Sequence, residues 1–293
     1  MRKKPMLAYP VSDKPIDYNN TVFMQPKLDG VRCLIQYEKV TPLQTGPVAY
    51  SRTGKQWKNI DHILKSLTPF FEANPDIILD GELYNHALKD DFEKIISCVR
   101  KTKPTAMDRA ESRKLVQFHC YDIVDEAMTF VDRIHKLNKF FQVPGQPHLR
   151  DAYGVRFVKT ESVLDQKDAE LFHDRCLFKG YEGSILRTND VYKCGRSWSL
   201  RKFKDFSDAE ATIVGFVEGK GKRKGTLGKF LMVDEDGIEF GCPPGKGYNY
   251  QDLKNLLFRA KHYIGATATF TYFERTKAGS YRHPLFKCIR NYE

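Results

Sequence analysis

Charged residues stand two apart inside segments that otherwise read as buried β-strands, and this pattern restricts the fold of the chain more than any other feature. Side chains two apart on a strand share one face. Charges beside buried segments are costly unless they are paired or liganded. Each pair alone fits a salt-bridged strand end, but the pairs together predict one shared cleft. The pattern comprises Lys27 with Asp29, Asp80 with Glu82, Lys202 with Lys204, and Glu182 at the start of a fourth segment.

A cleft that holds both lysines and carboxylates suits phosphoryl or nucleotidyl transfer. Cations neutralise the phosphates, and carboxylates hold a divalent metal. A lysine can also be the nucleophile when nearby cations and a metal lower its pKa from the free value of about 10.4. Arg32, Lys202 and Lys204 are candidates for that field.

The overall charge favours a polyanionic partner. The 293 residues carry a net charge of +11, which attracts nucleic acid through counterion release, although a merely soluble basic protein has the same balance. The sequence contains no run of about 18 apolar residues, so no membrane span is predicted, and no secretory signal is recognisable. The seven cysteines are scattered without a C-x-x-C pair, so we expect reduced thiols in an intracellular protein.

Strand and helix patterns alternate irregularly up to residue 206, which predicts a first domain over 1–206. Helical periodicity covers Leu88–Val99 and 130–141, and a third helix is predicted from an N-cap at Ser162 to Gly180. The candidate strands are Thr21–Pro26, Val31–Tyr37, Ile77–Leu83, Val116–Val124, Ser184–Arg187 and Ser199–Phe203.

From Asp208 the pattern changes to short strands around one helix, Gln251–Tyr263. About five strands and one helix have the proportions of an OB-fold β-barrel, predicted over 207–293. The loop 219–225 is a solvated turn or a contact to a phosphate backbone, and its cations are Lys220, Lys222, Arg223 and Lys224. The strands are Ala211–Val217, Lys229–Val233, Ile238–Phe240, Thr267–Phe273 and Leu285–Ile289.

Lys27-Leu-Asp-Gly30 followed by Arg32 resembles motif I, K-x-D-G-x-R, of the covalent nucleotidyltransferases. That superfamily includes DNA ligases, RNA ligases and mRNA capping enzymes. Motif I alone recurs by chance, whereas an ordered set of motifs is specific. Segments resembling motifs Ia, III, IIIa, IV and V follow in the family order: Ser51-Arg-Thr-Gly54, Asp80-Gly-Glu82-Leu83, Tyr121-Asp122, Glu182-Gly-Ser-Ile-Leu-Arg187 and Leu200-Arg-Lys-Phe-Lys204.

The end of the chain resembles ATP-dependent DNA ligases of the small viral type. NAD-dependent ligases carry a four-cysteine zinc module, and large cellular ligases carry an N-terminal DNA-binding domain; neither fits here. The implied fold class is α+β: a nucleotidyltransferase (adenylation) domain of antiparallel sheets with helices, followed by the OB-fold barrel. The segments that carry this resemblance are Gly195-Arg-Ser197, Asp208–Ile213, Tyr281–Phe286 and Arg290.

The resemblance implies roles for the matching residues in nucleotide binding. Lys27 attacks the α-phosphate of ATP, while Asp29 and Glu182 hold a divalent metal or orient the lysine; ion pairing of these two carboxylates with Lys27 or Arg187 is the alternative. Glu82 binds the ribose hydroxyls. Further nucleotide contacts are implied for Tyr121 (stacking on adenine, unless it is a core tyrosine), Gln25 and Pro26 (at the adenine edge), Arg32, Arg196, Lys202 and Lys204.

Nucleic-acid contacts are implied for another set. A guanidinium suits a phosphate better than an ammonium does, so Arg32 and Arg52, with Ser51, are expected at the 5′-phosphate of a nick. Arg282 and Arg290 orient pyrophosphate in the first step, when the OB domain closes. The loop cations are expected on the DNA backbone.

The resemblance therefore predicts an enzyme, an ATP-dependent DNA ligase that seals nicks in duplex DNA through lysyl-AMP. The expected cofactors are ATP and Mg²⁺ or Mn²⁺, and the expected partner is nicked duplex DNA bound by a monomer. An RNA ligase or a capping guanylyltransferase is the alternative within the superfamily, and an inactive OB-containing binding module is the alternative outside it. A phage-encoded chain would work in the cytoplasm of a bacterial host.

Overall fold

The computed structural model describes residues 3–142, 149, 152–203, 207–245, 247–272, 274–275 and 279–290. The chain divides into two compact units, Met1–Phe203 (unit 1) and Lys204–Glu293 (unit 2). Lys204, a predicted site residue, lies outside the described residues. The predicted domain boundary after residue 206 adjoins that gap and stays a prediction.

Unit 1 contains two five-stranded sheets. Sheet 1 has the strand order β1-β10-β9-β2-β8 and sheet 2 the order β4-β3-β5-β6-β7, with antiparallel pairing except between β1 and β10 and between β6 and β7. The strands are β1 (Met6–Pro10), β2 (Val22–Lys27), β3 (Val31–Thr41), β4 (Gln44–Tyr50), β5 (Leu79–Tyr84), β6 (Gln117–Ile123), β7 (Val155–Phe157), β8 (Glu161–Val163), β9 (Gly183–Thr188) and β10 (Gly195–Phe203).

Helices cover the outer faces of both sheets. Helix α5 packs on Val22 and Met24 of sheet 1, while helices α1, α2 and α4 enclose Leu79 and Leu83 of sheet 2. Because strand side chains alternate, the other faces of β2 and β5 carry the polar residues Gln25, Lys27, Asp80 and Glu82. The helices are α1 (Asp61–Ala73), α2 (Phe92–Val99), α3 (Ala106–Leu115), α4 (Phe130–Gln142) and α5 (Gln166–Phe178), with 3-10 turns at Val11–Asp13 and His86–Leu88.

Two predicted helix starts are wrong. Ser162 belongs to β8, where it pairs with Phe23, because sheet pairing satisfies its backbone better than a helix start would. Asp165 is the N-cap of α5 instead, accepting the N–H of Asp168 at 2.8 Å. The helix predicted from Leu88 begins at Phe92, after a 3-10 turn.

Unit 2 is built on one antiparallel sheet of order β13-β12-β11-β14-β17. An isolated bridge between Pro244 and Phe286 joins its two edges, with an N–H of Phe286 to Pro243 O bond of 2.8 Å. The elements are β11 (Ser207–Glu218), β12 (Leu227–Val233), β13 (Glu239–Cys242), α6 (Tyr250–Arg259), β14 (Thr267–Tyr272), β15 (Glu274–Arg275), β16 (Tyr281–Arg282) and β17 (Leu285–Ile289), with 3-10 turns at Gly221–Arg223 and Ala260–Tyr263.

The predicted α+β class, mainly antiparallel sheets with helices, is confirmed. All seven cysteines are free thiols. Within the described ranges, no helix has the length and apolar character needed to cross a membrane.

Candidate active site

Lys27 ends strand β2 and lies against Glu182. Pairing of β2 with β9 places Lys27 opposite Gly183, and the N–H of Glu182 donates to the carbonyl oxygen of Lys27 at 3.2 Å. The Lys27 ammonium and the Glu182 carboxylate form an ion pair, with side chains 19% and 6% exposed. A carboxylate that is itself almost buried therefore orients the lysine amine.

Gly183 is required for this approach. Its φ is +142°, which only glycine adopts readily. A Cβ at this position would lie 2.4 Å from the carbonyl oxygen of Phe203 on the neighbouring strand β10. Any side chain would push the start of β9 away from β10 and carry Glu182 with it.

Glu82 and Tyr121 form a second contact in the cleft. A register shift in β6 places Tyr121 at a bulge opposite β5, and its hydroxyl donates to Gly81 O and to Glu82 Oε2, both at 3.2 Å. Burial raises the pKa of Glu82, while Arg32, Lys27 and the Tyr121 hydroxyl lower it. The effect of burial is larger, so the pKa is raised to about 7. Near neutral pH this carboxyl therefore exists in both protonation states.

Arg32 on β3 is held by a fork to Asp80 on β5. Its Nε donates to Asp80 Oδ1 at 2.6 Å, and its Nη2 donates to Asp80 Oδ2 at 2.5 Å and to Met6 O at 3.2 Å. The guanidinium carbon lies 5.1 Å from the ring centroid of Tyr121. This contact joins Arg32 to the pair formed by Tyr121 and Glu82.

A buried charge network joins the two sheets beneath these residues. Arg187 on β9 donates to Gln25 Oε1 at 2.8 Å and to Asp122 Oδ2 at 2.7 Å. Arg133 of α4, 1% exposed, also binds Asp122, with Nε to Oδ1 at 2.8 Å. Gln25 Nε2 in turn donates to Tyr121 O at 3.1 Å. The network fixes the bulge that carries Tyr121, and both side-chain ends of Gln25 are occupied by protein.

Sequence reasoning missed Arg133 and the role of the Gln25 side chain. Arg133 falls within the apolar stripe of α4, beside Phe130, Ile134 and Leu137, which are all buried. A charged residue inside such a stripe indicates a buried partner, and this signal was available in the sequence.

The remaining predicted residues of unit 1 differ in their surroundings. Lys202 lies on β10 opposite Ile185, next to the cleft strands. Asp29 follows β2, and its charge influences Tyr84. The pKa of Tyr84 is raised by burial and by the charges of Tyr181 and Asp29.

Arg196 and the Ser51–Arg52 turn have other partners. Arg196 Nη1 donates to Ala8 O at 2.6 Å, and its guanidinium lies 5.3 Å from the ring centroid of Tyr9. Ser51 Oγ accepts the N–H of Lys55 at 3.0 Å in a tight turn, which leaves Arg52 exposed. These contacts do not link the three residues to Lys27 or Glu82.

Pro26 lines a cavity of about 340 Å³ together with Leu28 and His119. Burial lowers the pKa of His119 to about 4, with Arg156 and His86 adding to the shift. The rim carries four cations: Arg156, Lys159, Arg175 and Lys179.

The predicted metal ligands Asp29 and Glu182 are two carboxylates. Among the described residues, no group of three or more His, Cys, Asp or Glu side chains is placed to hold a metal ion. Mg²⁺ commonly binds one or two carboxylates and completes its shell with water and substrate phosphates. The donor set therefore fits a metal that arrives with a nucleotide better than a permanent metal centre.

In unit 2 the predicted cations lie at the surface. Lys220, Lys222, Arg223 and Lys224 are exposed on a turn that is closed by a 2.6 Å bond from Gly225 N to Glu218. Arg290 donates to Glu210 at 2.6 Å, and Arg282 lies on β16.

Two family models match the chain in the order predicted from its motifs. The ATP dependent DNA ligase domain covers residues 5–204. The DNA ligase OB-like domain covers residues 218–290.

Individual relatives carry the same description. A DNA ligase of African swine fever virus is 28% identical over 288 residues, which cover 89% of this chain and 64% of that protein; the chain thus spans less than two thirds of that relative's length. A DNA ligase of Haemophilus influenzae is 23% identical, covering 96% of this chain and 90% of that protein. A solved Lig E DNA ligase has the same fold, with a TM-score of 0.76, 23% identity and coverage of 99% and 100%.

Proposed function

The chain belongs to the ATP-dependent DNA ligase family, and we propose that it seals nicks between a 3′-hydroxyl and a 5′-phosphate in duplex DNA, acting as a monomer. The observation that carries the proposal is the ion pair between Lys27 and Glu182, together with the electrostatic effect of Lys27 and Arg32 on the Glu82 carboxyl. A lysine held by one carboxylate and near a second, buried carboxyl suits attack on a nucleotide phosphate.

The reaction consists of three displacements at phosphorus. The amine of Lys27 forms a bond to the α-phosphorus of ATP, pyrophosphate leaves, and the amine proton passes to solvent or to Glu182. A 5′-phosphate oxygen of the nick then takes AMP, and the Lys27 nitrogen leaves. The 3′-hydroxyl finally attacks the 5′-phosphorus, loses its proton, and AMP leaves.

The supporting residues have the following proposed roles. Glu82 binds the ribose hydroxyls, Tyr121 stacks on adenine, and the backbone at Gln25 and Pro26 meets the adenine edge. Asp29 and Glu182 hold Mg²⁺ or Mn²⁺, which neutralises phosphate charge when bound. The others are proposed to act on phosphates: Arg32, Ser51, Arg52 and the loop cations on DNA; Lys202, Lys204 and Arg196 on nucleotide or nick; and Arg282 and Arg290 on pyrophosphate.

Covalent labelling tests the nucleophile. Incubation with α-labelled ATP and a divalent metal, followed by a denaturing gel, should label the wild-type chain and leave Lys27→Ala without label. Lys94→Ala is a matched control, because it also removes a lysine paired with a glutamate, Glu111, at an exposed site, and it should label normally. A labelled Lys27→Ala chain would overturn the assignment of Lys27.

Nick sealing tests the substrate. Nicked duplexes with DNA or RNA strands, each offered with ATP or GTP, should give a sealed product with DNA strands and ATP. Preferential sealing of RNA strands would favour an RNA ligase, and labelling by GTP in place of ATP would favour a capping guanylyltransferase.

A further inference from the structure

Tyr192 lies outside every motif of the sequence, yet its hydroxyl connects Met6 on β1 to Asp80 on β5. The residue precedes β10 and is 1% exposed. Its hydroxyl accepts the N–H of Met6 at 2.8 Å and donates to Asp80 Oδ2 at 2.7 Å. Burial raises the pKa of Tyr192, so the hydroxyl keeps its proton and remains a donor to Asp80.

These bonds close a ring through Arg32. Asp80 accepts Nε and Nη2 of Arg32, and Nη2 also donates to the carbonyl oxygen of the same Met6 whose N–H binds Tyr192. The ring thus includes both backbone polar groups of Met6, both oxygens of Asp80, and the hydroxyl of Tyr192. Every member is supported by two neighbours, which holds the plane of the guanidinium in one orientation.

The ring leaves one edge of Arg32 available. Nε and Nη2 are occupied, while Nη1 has no acceptor among the residues that the structure describes. The Arg32 side chain is 17% exposed, so this edge can meet a ligand. Two N–H groups on a fixed guanidinium edge match phosphate oxygens in geometry and charge.

We infer that Tyr192 is a positioning residue for the nick phosphate: through Asp80 it holds Arg32 so that the Nη1 edge meets the 5′-phosphate. The inference rests on the proposed ligase function. It adds that the preference for a 5′-phosphate end depends on a tyrosine that contacts neither DNA nor ATP. The ring of Tyr192 also lies 5.4 Å from the guanidinium of Arg133, a contact that phenylalanine would preserve.

If Tyr192 only stabilised the position of β1 through Met6, a different result would be expected for Tyr192→Phe. It would lower thermal stability and slow all steps alike, with no change in discrimination between DNA ends. The critical quantity is therefore the ratio of Kd for a nick ending in 5′-hydroxyl to Kd for the same nick ending in 5′-phosphate. Enzyme pre-incubated with ATP and then treated with EDTA allows both Kd values to be measured by fluorescence anisotropy without sealing.

Tyr192→Phe should lower this ratio by about fivefold to tenfold, since a hydrogen bond to a charged group is lost. Its single-turnover rate of lysyl-AMP formation should stay within about twofold of wild type, because that step does not use the nick phosphate. Tyr84→Phe is the matched control, since Tyr84 is also 1% exposed and its hydroxyl bonds His86 instead, at 2.7 Å. Its ratio should equal that of wild type.

Two further variants keep the inference falsifiable if Tyr192→Phe folds poorly. Asp80→Asn keeps the shape of Asp80 and should give the same loss of preference. When Tyr192→Phe is added to Arg32→Lys, the ratio of Kd values should not fall further, because both substitutions act on the contact between the Arg32 side chain and the phosphate. An unchanged ratio in Tyr192→Phe or in Asp80→Asn would overturn the inference. A wild-type chain that forms no lysyl-AMP would instead overturn the proposed function.

Discussion

The same three-residue arrangement occurs in both units, and the two copies have different surroundings. In both, a tyrosine hydroxyl donates to one carboxylate oxygen of an aspartate at 2.7 Å, and an arginine binds that aspartate. The aspartate side chain is buried in both units, 0% exposed in unit 1 and 1% in unit 2, whereas the arginine is 17% exposed in unit 1 and 39% in unit 2. The groups are Arg32–Asp80–Tyr192 in unit 1 and Arg275–Asp234–Tyr281 in unit 2.

The second ligands of each aspartate explain the difference. Asp234 also accepts the backbone N–H groups of Asp236 and Ile238, at 3.0 and 2.8 Å, so its group fastens the turn between two strands. Asp80 supports an arginine whose other contacts are Met6 and the ring of Tyr121. Identical chemistry therefore closes a hairpin in one unit and orients a cation toward a cleft in the other.

Removal of the aspartate carboxylate should give the largest difference in stability between the two groups. Asp80→Ala leaves a largely buried guanidinium without its carboxylate and a buried hydroxyl without an acceptor, and it should lower the unfolding free energy of unit 1 by about 3–5 kcal/mol. Asp234→Ala exposes an arginine that water already reaches, so about 1–2 kcal/mol is expected for unit 2. Hydrogen exchange resolved by peptide measures both in the full chain. Equal losses would contradict the comparison.

The response to pH should differ in sign between the units. The pKa of Glu82 is raised to about 7 from 4.5, so between these values the unfolded chain ionises while the folded chain keeps the proton. The stability of wild type relative to Glu82→Gln should therefore fall as the pH rises through this window, by up to about 3 kcal/mol.

Asp234 provides the opposite case. Burial acts to raise its pKa, but bonds from the Tyr281 hydroxyl and the Ile238 N–H lower it below 3.8 overall. Its contribution is present above the ordinary pKa and lost as the pH falls through the lowered one. Wild type should thus lose stability relative to Asp234→Asn only in acid, measured by the same exchange protection. A parallel trend for Glu82 and Asp234 would refute the contrast.

Exposed and paired cations of unit 2 should differ in their effect on DNA binding. Lys222→Ala combined with Arg223→Ala removes two exposed charges and should reduce the slope of log Kd against log salt by about 2. Arg275→Ala removes a cation that is bound to Asp234 and Asp236, and it should leave the slope unchanged. Anisotropy titrations from about 50 to 200 mM salt measure both. A similar reduction in both variants would show that pairing does not matter here.

The smallest expected effect belongs to Tyr281→Phe. Loss of the buried hydrogen bond from the Tyr281 hydroxyl to Asp234 should lower the stability of unit 2 by about 1 kcal/mol. The ratio of Kd values for 5′-hydroxyl and 5′-phosphate nicks should not change, in contrast to Tyr192→Phe. Thermal unfolding and anisotropy provide the two measurements, and a change in the ratio would remove the distinction between the groups.

Local patterns predicted the strands that carry Lys27, Asp80 and Glu82, because alternation and motif spacing are short-range properties of a sequence. The pairing of Tyr192 with Asp80 joins residues 112 apart, and no local pattern encodes such a contact. Ser162 shows the opposite failure, since a sound capping signal was overridden by strand pairing with Phe23. The class of the first unit was therefore predictable, whereas the supports of its charged residues were not.

The ring around Arg32 uses only the main chain of Met6. Because every residue other than proline has the same main-chain N–H and carbonyl groups, a comparison of amino-acid identities does not detect this contribution. Side chains along β1 can vary between relatives while this contribution persists, provided that the register with β10 holds. Insertion or deletion of a single residue before position 6 leaves the ring intact. The same change between Met6 and the Ala8–Ser197 pairing would shift the register, so that a different residue would present its main chain to Tyr192 and Arg32. Screens based on amino-acid substitution would overlook this strand, while scans by proline or by single-residue insertion would reveal it.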